Sequence, residues 1–428
     1  MALNVQSEIG RLRRVLIHRP GREIDWMVPS MMERLLFEDI LYSDRARQEH
    51  DAFAAVLRAA GVETVDPEAL LADVVGEPEV RGRLIARLER LGVSFGVLRE
   101  LETLAPPILA AALITGIPAG RDARLDGRLE SFYRLPPVPN YFFQRDPQVV
   151  FGDRVLLAAM ATDAREREPL LARTAFESHP TLAGCEILTL EEGPAGGRPA
   201  SAAAGPKLEG GDVLVPAPEV LMVGLSERTN RRGIEALARR LRRAAAAGES
   251  AFRYLVMVEV PARRSYMHLD TVFTFIDRGL CLAYLPVIAP GGAEAGAVYR
   301  IDLKAAELAY TVCDHLPGAL SEIGHEIELV PCGGSESLID QQREQWTDGA
   351  NAFAIAPGVI ALYRRNLRTT EELARRGFRV LAEEDVIAGR DDLLGHGPTV
   401  VTLMDHELSR ARGGPRCMTM PLVRDDLG

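Results

Sequence analysis

A strand, a tight turn, a second strand and then a helix recur along this chain, and that repeat restricts the fold more than any single motif does. Gln148 to Phe151, the turn Gly152-Asp153 and Val155 to Met160 form the first clear hairpin, followed by a charged helical pattern over Asp163 to Phe176. Asp212 to Val215 and Val220 to Leu225, joined by Pro216 to Glu219, repeat it before a helix over Arg231 to Ala246. Thr271 to Ile276 and Leu280 to Leu285 make a third hairpin, with a helical pattern expected around Lys304 to His315. Ala352 to Ile355 and Val359 to Tyr363 make a fourth, followed by a helix over Thr370 to Gly377 and a strand at Phe378 to Leu381. Leu12 to His18, the helical pattern within Leu36 to Gly61 and a strand at Val62 to Val65 count as a degenerate first copy. The irregular repeat of roughly sixty to eighty residues excludes a short-period solenoid. Such units form an α/β fold that buries one sheet face inward and covers the other with helices.

From Pro67 to about Gly120 the β signals vanish, and Leu, Ala, Glu and Arg recur at helical spacing. This predicts three segments: a first part of the repeat fold at 1–66, a helical insertion at 67–125, and the remainder at 126–428. Leu104 to Ala119, interrupted by Pro106-Pro107, reads as a buried helix after a turn, not as a membrane span. Glu191 to Lys207 is rich in Gly, Ala and Pro and reads as a surface excursion, because the repeat continues on both sides.

A formal charge of −11 argues against a nucleic-acid or anionic-membrane surface and in favour of a small-molecule partner. Five scattered cysteines, none in a CxxC pair, suit a reducing compartment and fit neither a zinc site nor a disulfide framework. With no signal pattern over Met1 to Leu12, the expected location is cytoplasmic.

The chemistry-bearing residues gather at hairpin edges and in one C-terminal loop. Arg412-Gly413-Gly414-Pro415-Arg416-Cys417 presents a cysteine among arginines, which lower a thiol's pKa, so this is a place where a thiolate could exist at neutral pH. Asn140 and Arg145-Asp146 precede the first clear hairpin, and Glu209-Gly210-Gly211-Asp212 the second; each aspartate could equally be a turn residue. His268 and Asp270 lead the third, where strand geometry would turn both to one face. A metal site there lacks a second histidine at ligand spacing; acid/base work beside a carboxylate and a plain edge histidine both remain open. Together the groups have a chemical logic: carboxylates grip a planar guanidinium, a thiolate attacks its carbon, and a histidine protonates the departing amine. Arg165, Arg228 and Arg412 are either solvated charges or a cluster that binds a carboxylate.

Several stretches, in order along essentially the whole chain, resemble the arginine deiminases of the guanidino-group-modifying pentein superfamily. They are SEIGRLRRVLIHRPG at the start, LLFEDILY at 35–42, PNYFFQRDP at 139–147, LEGGDVLV at 208–215, LSERTNR at 225–231, MHLDT at 267–271 and GGPRCMTMPLVRDDL at the end. The resemblance implies Cys417 as nucleophile, His268 as general acid and base, and Glu209 as the group orienting it. It implies that Asp146 and Asp270 hold the guanidinium, that Asn140, Arg165, Arg228 and Arg412 grip the amino-acid end, and that Phe143 forms a pocket wall. It also implies a five-bladed ββαβ propeller with an inserted small helical subdomain, and hydrolysis of L-arginine to L-citrulline and ammonia through a covalent thiouronium, with no metal and no cofactor. A homo-oligomer is expected. Gln144 departs from the family's usual FTRDP segment, and the 191–207 excursion is longer than the family suggests. For Arg416, directly before the nucleophile, two readings stay open: a swing over the empty site, or help in stabilising the thiolate by its charge. A related amidinotransferase and a non-catalytic scaffold are the competing readings; the full set of cysteine, histidine and carboxylates speaks against the scaffold.

Overall fold

A computed structural model describes residues 2–120, 128–190 and 205–427. Most of the 191–207 excursion and the end of the helical insertion at 121–125 lie outside the described residues. Among the described residues, five sheets share one arrangement: an antiparallel pair, a hairpin in four of them, with one strand also paired in parallel to a strand returning from a helix. Gln148–Phe151, Arg154–Leu157 and Glu186–Leu188 form one, with the helix Arg167–Ser178 as its crossover. Val213–Ala217, Val220–Leu225 and Tyr254–Glu259 form the next around the helix Arg231–Ala246. Phe273–Asp277, Leu280–Ala283 and Glu328–Pro331 form a third, and Phe353–Ala356, Val359–Tyr363, Thr399–Leu403 and Arg379–Ala382 a fourth. A parallel return needs a crossover, which is why a helix follows each hairpin.

The remaining unit is split across the chain's two ends. Leu12–Ile17 pairs in parallel with Glu63–Val65 after the helix Ser43–Ala59, and antiparallel with Thr419–Arg424. The copy that looks degenerate in sequence is completed by the last strand, which begins two residues after Cys417.

The helix expected around Lys304 to His315 is not there. Val298–Asp302 and Tyr310–Cys313 are strands that pair with each other and extend the sheet at Tyr254–Glu259. Their Val, Tyr, Ile and Thr residues suit a pleated, half-buried surface, and the helical-looking stretch between them is a connection. That unit's helix is Leu316–Ser321, where His315 Nδ1 accepts from Gly318 N at 2.9 Å.

The insertion holds helices at Pro67–Val74, Pro78–Arg90, Phe95–Thr103 and Pro106–Thr115. Three open on proline, whose fixed φ and missing N–H suit a first turn. Leu71, Leu84, Leu88, Leu98, Leu101, Leu109 and Leu113 share a core with Tyr141 and Leu171, so the insertion packs against the segment that carries Asn140 and Asp146. Asp66 fixes its entry by accepting from Glu68 N while its other contact, His18, lies 3.1 Å away. No helix among the described residues is long and apolar enough to cross a membrane.

Candidate active site

Two short turns, both opening on a functional residue, build one wall of a buried pocket. Glu209 precedes the turn Gly210–Asp212, and His268 precedes the turn Leu269–Thr271. Asp212 locks the turns together by accepting from Leu269 N at 2.8 Å and Ser226 Oγ at 2.7 Å. His268 and Asp270 therefore sit at a 3-10 turn, not on a strand as the alternation argument expected. His268 Nε2 lies 2.8 Å from Glu209 Oε2, and Nδ1 lies 3.7 Å from Asp146 Oδ1. A Cβ on Gly211 would stand 2.6 Å from His268 Nδ1, so only glycine lets the backbone pass so close to the ring. Burial alone would lower the imidazole's pKa, but Asp146, Glu209 and Asp212 outweigh it and push it up to about 10. His268 is thus an imidazolium at neutral pH.

The opposite wall is the C-terminal loop. Asn351 Oδ1 accepts from Cys417 N at 3.1 Å, and Arg145 N donates to Cys417 O at 3.0 Å. Cys417 Sγ is 3.8 Å from Asp270 Oδ2, and Asn351 Nδ2 donates to Asp270 O at 2.9 Å. Gly413 packs on the Phe143 ring with no room for a Cβ, and Tyr363 donates to Gly413 O at 2.8 Å.

The surroundings of the sulfur favour the thiol over the thiolate. Burial first, then the Asp270, Asp146 and Asp348 carboxylates, push the Cys417 thiol well above its ordinary range. Arg416 does not relieve this, because its guanidinium points away from the pocket. It is 1% exposed, with Nη1 2.7 Å from Asp270 Oδ2, Nε 3.1 Å from Glu8 Oε2 and Nη2 donating to Val213 O at 2.9 Å. In this structure Arg416 pairs with Asp270 and Glu8 and not with the sulfur, and so braces Asp270 from behind.

The three arginines differ in environment. Arg165 binds Asp146 at 2.6 Å and Glu168 at 2.7 Å, both buried. Arg228 Nη2 touches Met267 Sδ at 3.7 Å, and its Nε makes no hydrogen bond but lies 3.7 Å from Glu227 Oε1. Arg412 lies on Trp346, with Cζ 3.4 Å from the ring centroid. Asn140 Nδ2 donates to Leu35 O and Leu36 O, holding the segment that rims the pocket.

Asn140, Phe143, Asp146, Arg165, Glu209, Arg228, His268, Arg412 and Cys417 line a single cavity, with Leu36 and Glu38 at its edge. Asp270 reaches it through its contact with Cys417. The cavity is only about 30 Å³, room for a water or two, so an amino-acid ligand needs the pocket to widen. Asp146, Glu209 and His268 offer donor atoms within 4.8 Å of one another, a set that could hold a cation. A protonated imidazole has no lone pair to give, and Arg165 already neutralises Asp146, so the set fits a metal poorly.

Sequence reasoning missed Glu8, Trp346, Asp348 and Asn351. Each is distant in the chain and ordinary in type; the φ of 62° at Asp348 is a backbone signal that only coordinates reveal.

A family model described as arginine deiminase matches residues 33–90 and 115–424. The arginine deiminase of Clostridium perfringens is 36% identical over 446 residues, covering 100% of this chain and 99% of that protein. That of Staphylococcus aureus is 33% identical over 441 residues, covering 99% of each. Among solved structures, an amidinotransferase of saxitoxin biosynthesis from Microseira wollei superposes with a TM-score of 0.54 at 15% identity, covering 99% of this chain and 98% of that one. At that identity the likeness speaks for the α/β fold alone.

Proposed function

We propose that this chain, which belongs to the arginine deiminase family, hydrolyses free L-arginine to L-citrulline and ammonia, cleaving a C–N bond of a linear amidine. The observation that carries the reading is the meeting of Cys417 with Asp270, Asp146 and the His268–Glu209 pair in one buried cavity.

Asp146 and Asp270 hold the guanidinium from two sides. Its positive charge then offsets two of the three carboxylates that hold the thiol protonated, so binding itself generates the nucleophile. The thiol proton passes by way of Asp270 Oδ2, 3.8 Å from the sulfur, to solvent, so Asp270 stays a carboxylate on the guanidinium. Sulfur attacks the guanidinium carbon, and the His268 imidazolium gives its proton to the departing nitrogen, which leaves as ammonia. The thiouronium that remains carries the C–S bond. Neutral His268, oriented by Glu209, next takes a proton from water. The water oxygen adds to the same carbon, the C–S bond breaks with its electron pair returning to sulfur, the added hydroxyl's proton restores the thiol, and citrulline departs; the proton released at the start leaves with ammonia as ammonium. Asn140, Arg228, Arg412 and, once it shares its charge with Asp146, Arg165 receive the amino-acid end; Phe143 closes the pocket against Gly413.

The five equivalent sheets support a ring of five blades, with residues 67–125 inserted between the first unit and the rest. Five free cysteines suit a reducing compartment. A citrulline assay on L-arginine, run beside agmatine and methylated arginines, tests the activity. Citrulline formation that is lost in Cys417→Ser is expected; turnover of an analogue but not of arginine, or full activity in that variant, overturns it.

A further inference from the structure

The end of the helix Leu338–Trp346 and the loop 347–351 pack against Arg412 and Cys417. Trp346 presents its ring to the Arg412 guanidinium, and Asn351 holds the Cys417 amide. Between them Asp348 is 1% exposed, adopts a left-handed backbone with φ of 62°, and has no hydrogen-bond partner for either carboxylate oxygen. Arg412 mirrors it: 4% exposed, φ of 64°, with Nε and Nη1 unpartnered and Nη2 held only by Ser265 O at 3.4 Å. A carboxylate and a guanidinium buried so incompletely bonded are each costly alone, and tolerable only as counter-charges. Apart from burial, Arg412 is the strongest influence on Asp348, and Asp348 the strongest on Arg412.

We propose that Asp348 is a positioning residue that balances Arg412 until a substrate carboxylate takes its place, so that two carboxylates compete for one guanidinium. This rests on the reading of the pocket as a site for L-arginine, and makes Asp348 a determinant of selectivity toward the carboxylate-bearing substrate. A ligand lacking that carboxylate does not enter the competition. The charged and titratable groups around Asp348 are Arg412 and Arg365, opposed by Asp270 and Asp405, with the Tyr363 hydroxyl and the Cys332 and Cys417 thiols. Burial first, against the pull of Arg412, raises the Asp348 carboxyl to about 7. The competition is therefore present above pH 7, where Asp348 is ionised, and lost below it.

The test uses the full chain carrying Cys417→Ala, which binds without turnover, titrated calorimetrically with L-arginine and with agmatine, its decarboxylated counterpart. At pH 8, adding Asp348→Asn is expected to tighten arginine by about tenfold while agmatine stays within about twofold. At pH 6 the arginine difference should vanish. Weaker arginine binding in Asp348→Asn, or equal shifts for both ligands, overturns the proposal and makes Asp348 a scaffold. Should that variant fail to fold, the arginine-to-agmatine affinity ratio of the Cys417→Ala protein decides: a ratio that does not fall between pH 6 and pH 8 overturns the proposal. Absence of citrulline formation by the wild-type protein would instead overturn the functional reading.

Discussion

Arg416 Nη1 stands 2.7 Å from Asp270 Oδ2, the same oxygen that lies 3.8 Å from the Cys417 sulfur. The residue preceding the nucleophile therefore acts on it through a carboxylate, and is itself held by Glu8, whose Oε1 accepts from Val215 N at 3.1 Å. The N-terminal segment, the second hairpin and the C-terminal loop meet in this one buried charge chain.

Removing the cation from that chain leaves two carboxylates unpaired in the interior. Arg416→Met is expected to lower stability by about 3–5 kcal/mol, read as a fall in the urea midpoint at constant slope. Arg416→Lys, which keeps the charge but not the three-way fork, should fall between Met and wild type. An unchanged midpoint for the methionine variant would mean that the triad contributes nothing.

The His268 imidazolium should lose its proton earlier without its nearest partner. In Glu209→Gln the alkaline limb of the pH profile for citrulline release should move down by about one to two pH units. The same linkage affects stability: His268 is raised from 6.5 to about 10, so its contribution is full below pH 6.5 and lost as pH rises through 10. In the variant that loss should begin at lower pH. A limb that stays in place would assign the proton's retention to Asp146 and Asp212.

Gly413 lies against the Phe143 ring with its φ outside the left-handed region, so crowding alone excludes a side chain. Gly413→Ala should displace the Cys417 loop and cut kcat/KM by about a hundredfold, the loss expected from misplacing a nucleophile by an ångström. Circular dichroism should still report a folded chain; wild-type activity would show that the loop yields without cost.

Gly82 is the complementary case. It sits inside the helix Pro78–Arg90 with nothing within 4 Å of an added Cβ. Gly82→Ala should raise stability by about 0.4–1 kcal/mol, with kcat and KM unchanged. Destabilisation would show that the helix packs more tightly than its open flank suggests.

Much of this was legible before any coordinates. The strands Gln148–Phe151, Val220–Leu225 and Val359–Tyr363 announce themselves through β-branched runs bounded by Gly, Asp and Pro, because local backbone preference and side-chain period are written in neighbouring residues. The helical insertion is equally plain from its leucine spacing. The strands at Val298–Asp302 and Tyr310–Cys313 were not, since a sheet edge to lean on decides there and local pattern does not. The motif residues that converge on one cavity were nameable from sequence, as was the chemistry their side chains permit.

Only the tertiary structure decided what each charge faces. Arg416 and Arg412, four residues apart in one loop, diverge completely: one braces Asp270 from the interior, the other lies on Trp346 at the pocket wall. Proximity in sequence promised Cys417 a neighbouring cation, yet burial and three carboxylates hold its thiol protonated. Sequence determines which groups a loop carries. Their pKa values and partners depend on desolvation and on charges from Glu8, Asp270 and Asp348, brought together by folding over hundreds of residues.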